Sequence, residues 1–205
     1  MKESNSELLE ESNTIEREKV QLNRGWSFWE NYLKKNSNAY ILEEIYSFDD
    51  IISFWQFWNK YPGKDAKKIF YNGEYLTYFF KEKYRINGMN LFAKGIKPEW
   101  EDEKNKNGKV FILEYEIKSN LDIFLSVVND SWIKLLCYLI GEQLPYSDKI
   151  NGVRFVDKTK LGKGIIFKFE IWANSSMTDE KEINELKSFL SKNFGCSGIL
   201  VKDIK

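Results

Sequence analysis

Residues 120–143, NLDIFLSVVNDSWIKLLCYLIGEQ, decide the fold. Leu121, Phe124, Leu125, Val128, Trp132, Leu135, Leu136, Leu139 and Ile140 recur at helical spacing behind a cap at Asn120 or Ser119, so the stretch reads as one long helix that buries a face. Ahead of it, residues 109–117 alternate as a strand. Behind it, residues 152–156 and 165–172 read as two strands around a Lys/Gly turn. A long helix between hairpin-like strands lacks the regular alternation of a parallel sheet, which predicts an α+β fold on an antiparallel sheet.

The rest of the chain extends this pattern. Trp26-Ser-Phe28-Trp29-Glu-Asn-Tyr32 and Tyr40-Ile-Leu-Glu-Glu-Ile-Tyr-Ser-Phe48 read as strands. Asp49 and Asp50 stand at a helix N-cap, and Ile51, Phe54, Trp55 and Trp58 follow at helical spacing until Pro62-Gly63 stops the helix. Within residues 64–88, read as an inserted element, Asn72-Gly73 predicts a hairpin turn. Residues 89–92 predict a short strand, 95–108 a loop, 179–194 a helix capped by Thr178 or Asp179 and ended by Gly195, and 198–201 a last strand. Residues 1–20 read as a flexible tail ahead of a single domain over 21–205, whose three helices on one face would leave the other face open.

Composition narrows the function. The chain has 205 residues, 42% of them hydrophobic and 30% charged, enough for a sizeable core. Its 31 basic and 31 acidic residues cancel, which argues against bulk coating of nucleic acid and requires any such binding to be local. Zero histidines and two distant cysteines, Cys137 and Cys196, remove the usual metal and general-base chemistry and fit a reduced, intracellular setting. The polar N-terminus carries no targeting pattern, and no apolar run reads as a membrane span. Aromatics are abundant, at 7 Trp, 11 Tyr and 15 Phe, so some are candidates for recognition rather than core.

Three constellations could carry chemistry. In Pro98-Glu99-Trp100-Glu101-Asp102 an indole beside carboxylates could read a charged purine, or could be a core Trp with solvated acids. The lysines of Lys158-Thr-Lys160-Leu-Gly-Lys163-Gly164, with Lys168, could hold phosphates or simply be a solvated hairpin tip. Trp55 and Trp58 diverge by roughly 60° around their helix, so one of them can face outward near Ile51, with Ile133, Lys134 and Cys137 on the long helix beside it. No nucleophile elbow, phosphate-cradling glycine loop or metal cluster is present, which argues against an enzyme.

Laid end to end, the segments resemble the eukaryotic translation initiation factor 4E family. The resemblance rests on Trp26-Ser-Phe-Trp29, Phe48 with Phe54-Trp55, Leu91-Phe92 with Gly95-Ile96 and Pro98-x-Trp100-Glu101-Asp102-x-x-Asn105, Trp132 with Leu135-Leu136 and Ile140-Gly141-Glu142, Gly152-Val153, and Lys168-x-x-Ile171-Trp172. It implies a curved antiparallel sheet with three helices on its convex face and an open concave ligand face. It also implies binding of the 7-methylguanosine cap of mRNA without a cofactor or a metal.

Residue by residue, the resemblance places Trp100 as one stacking wall, Glu101 on the base edge and Tyr40 as the other wall, closer to Phe48 than the family's aromatic. Trp172 matches the residue that touches the base's methyl group, and Lys158 and Lys168 match phosphate contacts, Lys158 replacing the usual Arg on a longer hairpin. The partner surface transfers to Ile51, Trp55, Ile133 and Gly141, with Cys137 beside them. It implies a 4G-type scaffold or a 4E-binding regulator carrying Tyr-x-x-x-x-Leu-apolar. Lys134 stands where the family is acidic, so an Arg in the partner would be disfavoured. The extra residues around 64–85 and a C-terminus lacking the family's last loop and strand are further departures. The implied role is recruitment of capped mRNA to initiation in the cytoplasm. A cap-binding translational repressor is the alternative, towards which Tyr40 and Gly141-Glu142-Gln143 lean. A fold-only interaction module is a third reading, and a decapping enzyme a remote fourth that lacks its metal-binding carboxylates.

Overall fold

Alternation along the first strand, β1 (Gln21–Lys34), turns Trp26 and Phe28 into the main core and leaves Asn31 on the other side of the sheet. The computed structural model describes residues 20–34, 39–70, 84–117, 120–159, 164–196 and 198–204. Most of the expected tail, the turn at Asn72-Gly73, and Lys160 and Lys163 lie outside the described residues.

β1 is followed by β2 (Tyr40–Asp50), α1 (Ile51–Lys60), a 3-10 turn (Pro62–Lys64) and α2 (Ala66–Phe70). Next come β3 (Tyr84–Ala93), β4 (Lys109–Glu116), α3 (Leu121–Ile140), a second 3-10 turn (Ser147–Lys149), β5 (Ile150–Asp157), β6 (Ile166–Ala173), α4 (Glu180–Phe194) and β7 (Leu200–Asp203). The strands form one open, curved antiparallel sheet in the order β2-β1-β3-β5-β6-β4-β7. The α+β class is as expected. The short helix α2 is additional to the three helices anticipated, and part of the region read as an insertion is the start of β3, a longer strand than residues 89–92 suggested.

Local chemistry explains the helix boundaries. Asp50 caps α1 by accepting from the Ser53 N–H at 2.8 Å, Asn120 caps α3 by accepting from the Asp122 and Ile123 N–H groups, and Asp179 caps α4 through the Lys181 N–H. Gly195 closes α4 with a φ of 65°, which glycine adopts without steric penalty.

The core fills the space between the sheet and its helices. Trp132 of α3 packs edge-on against Phe155 of β5 at 5.5 Å and tilted against Phe169 of β6 at 5.4 Å, while Phe54 and Trp58 of α1 reach Phe48 and Phe28. α3 is long and apolar enough to cross a membrane, a property the run-length reading passed over. Its apolar stripe, Leu125, Val128, Trp132, Leu135, Leu136 and Leu139, is instead buried in this core. Gly152 permits a close crossing: a Cβ there would lie 2.4 Å from the Phe92 ring and 2.6 Å from the Leu91 carbonyl oxygen.

Candidate functional site

Side chains of β5 and β6 that point away from the helices line the opposite face of the sheet. Period-two alternation brings Arg154 and Val156 of β5, Lys158 just beyond its end and Glu170 of β6 to one hollow of about 440 Å³, closed at its rim by Tyr40 and by the loop carrying Glu99, Trp100 and Glu101. A neighbouring hollow of about 340 Å³ shares Trp100, Lys158 and Glu170 and has an apolar floor of Val110, Ile112 and Trp172.

The Trp100 loop is rigid for reasons visible in its sequence. Asp102 accepts from the Lys97 N–H at 2.8 Å and the Lys104 N–H at 2.9 Å, and Asn105 donates to the Lys97 and Glu99 carbonyls. Asn151 donates to the Lys104 carbonyl and to Asn105 Oδ1, which ties the loop to β5. Asp102 and Asn105 are therefore fasteners. Trp100 is 61% exposed on this frame, which excludes the core-Trp alternative.

Tyr40, 51% exposed, begins β2 opposite Leu33 of β1 and lines the same hollow as Trp100. Partial burial raises the pKa of its phenol, and the negative charges of Glu99 and Glu101 add to the rise. The slot rim is thus aromatic and electronegative, an environment suited to a flat cationic ring.

The basic residues differ from one another. Lys158 lines both hollows, and loss of surrounding water lowers its pKa although the side chain still reaches solvent. Glu170 opposes that shift, while Arg154 and Lys168 reinforce it. Lys168 is ion-paired with Glu114 of β4 at 2.7 Å. Sequence reasoning missed Arg154, which contacts Glu170 at 3.4 Å, and Glu170 itself. Both could have been found by counting back in twos from Lys158 and Trp172.

Trp172 differs from its expected place. It is 1% exposed, packed edge-on against Phe92 at 5.6 Å, with its Nε1 donating to Glu170 and the Arg154 guanidinium 5.2 Å from its ring centre. Arg154 covers the indole, so Trp172 is a buried floor rather than an accessible contact.

On the helical side, Trp55 is 39% exposed while Trp58 is buried, as their angular divergence anticipated. Ile51 and Ile133 are half-buried at the edge of the core, and Cys137 and Gly141 are exposed. Lys134 has a partner that the sequence did not reveal. Its Nζ donates to the Asn193 carbonyl at 2.7 Å and lies 5.3 Å from the centre of the Phe194 ring, so its charge is turned towards the C-terminal end of α4.

Comparison with known proteins places this geometry among relatives. Residues 21–198 match the family model for eukaryotic initiation factor 4E. The chain is 28% identical over 138 residues to eukaryotic translation initiation factor 4E of Candida albicans, covering 64% of this chain and 56% of that protein. It is 30% identical over 143 residues to the isoform 4E of Arabidopsis thaliana, covering 67% and 60%. The match thus spans under two thirds of these relatives' own length. Similar solved structures include Ascaris suum eIF4E-3 with an m7G cap (TM-score 0.66, 22% identity, 91% of this chain and 92% of that one). A schistosome eIF4E complexed with m7GpppA and 4E-BP is also similar (0.63, 20%, 91% and 88%).

Proposed function

Because the chain belongs to the eukaryotic initiation factor 4E family, we propose that it binds the 7-methylguanosine cap of mRNA in this slot and recruits the message to the initiation machinery. The observation that carries this reading is the placement of Trp100, exposed on a fastened loop, with Tyr40, Glu101 and Lys158 around one hollow. This is binding without catalysis.

In the proposed complex the methylated base lies between Tyr40 and Trp100. Methylation makes the ring cationic and strengthens its attraction to both aromatic faces, while the Glu101 carboxylate accepts from the N–H groups of the base edge. Lys158 and Lys168 meet the phosphates. The exposed face around Trp55 takes the apolar side of a partner helix, from a 4G-type scaffold or a 4E-binding regulator with a Tyr-x-x-x-x-Leu-apolar motif. The complexes of relatives with a cap and with 4E-BP support both halves of the proposal.

The repressor reading shares the slot and the helical face, and Tyr40 in place of a Trp wall is the observation in its favour. The test is retention of the full chain on 7-methylguanosine triphosphate resin. Elution by free 7-methylguanosine triphosphate but not by equal GTP is expected, and elution by both alike sinks the proposal. A co-eluting scaffold supports the initiation role, whereas a chain that excludes scaffold supports the repressor.

A further inference from the structure

A continuous chain of polar contacts crosses four strands beneath the slot. Asn31 Oδ1 on β1 accepts from Asn90 Nδ2 on β3 at 2.6 Å, and Asn90 Oδ1 accepts from Arg154 Nε on β5 at 3.0 Å. Arg154 Nη1 lies 3.4 Å from Glu170 Oε2 on β6, which also accepts from Trp172 Nε1 at 3.3 Å. The guanidinium, stacked above the Trp172 ring, is thereby held on three sides with only 15% of the side chain exposed.

That anchoring uses Nε and Nη1. Nη2 has no hydrogen-bond partner among the described residues, and Arg154 lines the same hollow as Tyr40, Trp100 and Glu101. A planar guanidinium fixed in a partly dry site that lines the hollow, with the Nη2 donors left over, is suited to receive an anionic oxygen. Register then orders the basic groups. Arg154 pairs with Glu170 next to the Trp172 row, Lys168 comes one pair further along opposite Val156, and Lys158 lies beyond.

Building on the cap-binding reading, we propose that Arg154 receives the phosphate joined to the ribose of the bound nucleotide, while Lys168 and Lys158 serve the phosphates beyond it. The pair with Glu170 positions the fork without consuming it. Lysine at this place would offer a point charge but no fork.

The test compares 7-methylguanosine, its monophosphate and its triphosphate by quenching of intrinsic tryptophan fluorescence, with thermal melting as a control for folding. For the natural chain the first phosphate should improve affinity by about tenfold. Arg154→Met should abolish most of that step yet preserve the further gain from mono- to triphosphate, whereas Lys158→Met should do the reverse. If Arg154→Met does not fold, Arg154→Lys, which keeps the charge beside Glu170, should still shrink the first step severalfold. An unchanged first step in whichever of these variants folds overturns the inference while leaving cap binding intact. A natural chain that binds none of the three compounds overturns the cap-binding reading itself, and the assignment of Arg154 with it.

Discussion

Lys168 and Glu114, paired across β6 and β4, are joined at 2.7 Å, so one of the lysines flanking the slot is already neutralised. Removing the carboxylate releases that charge. Glu114→Gln should therefore tighten triphosphate binding by a few-fold at low salt and steepen its salt dependence, since exposed pairs are worth only about 0.2–1 kcal/mol to folding. Isothermal titration at two ionic strengths checks this, and weaker binding in the variant would count against Lys168 as a phosphate contact.

With Lys158 on the phosphates as proposed, affinity should depend on pH. Its surroundings disfavour the charged form, so it loses its proton at lower pH than an ordinary lysine, and triphosphate affinity should decline as pH rises through that lowered value. Stability moves the opposite way. Folding is opposed while the group stays protonated below its lowered pKa, and the penalty fades as pH rises through that value towards the unfolded-state pKa. Lys158→Arg holds its charge throughout, so its affinity should stay level over the alkaline range in which the natural chain weakens.

Trp100→Ala should weaken cap binding by about 1–3 kcal/mol, the value of one aromatic stacking wall, while leaving the melting temperature nearly unchanged. The exposure of the indole and the side-chain and backbone bonds that hold its loop without it make the two readouts separable. A large fall in melting temperature would mean that the indole supports the fold instead.

Trp55→Ala should reduce affinity for a Tyr-x-x-x-x-Leu-apolar peptide by about 2 kcal/mol or more, as expected of a large exposed anchor. Lys134→Glu acts twice. It removes the donor to Asn193 and sets a carboxylate against the negative end of α4, so melting should fall by an amount equivalent to about 0.3–1 kcal/mol. It should also favour peptides bearing Arg at the facing position. A lowered melting point with unchanged peptide ranking would assign Lys134 to α4 alone.

The elements with strong periodicity were legible. The cap at Asn120, the stripe from Leu125 to Leu139 and the end at Gly195 all follow from local rules, because one residue's chemistry suffices to place each of them. The slot was legible where it lies on a contiguous motif, as at Trp100 and Glu101. It was not legible where strands distant in sequence meet. Arg154, Glu170 and Asn90 come from β5, β6 and β3, and only the pairing of those strands shows that a guanidinium covers Trp172. Lys134 is the same lesson on the helical side, since its partner lies 59 residues away.

The sheet is a partition one backbone thick. Tyr40, Trp100 and Arg154 stand on one side, and Trp55, Ile51 and Ile133 belong to the helices on the other, with no residue common to both sets. On the proposed reading, a cap and a partner helix would then be held back to back without competing for surface. Each would raise the local concentration at which the other's companions meet, so the contribution of such a protein would be proximity, a gain set by the spacing of two grips rather than by the strength of either.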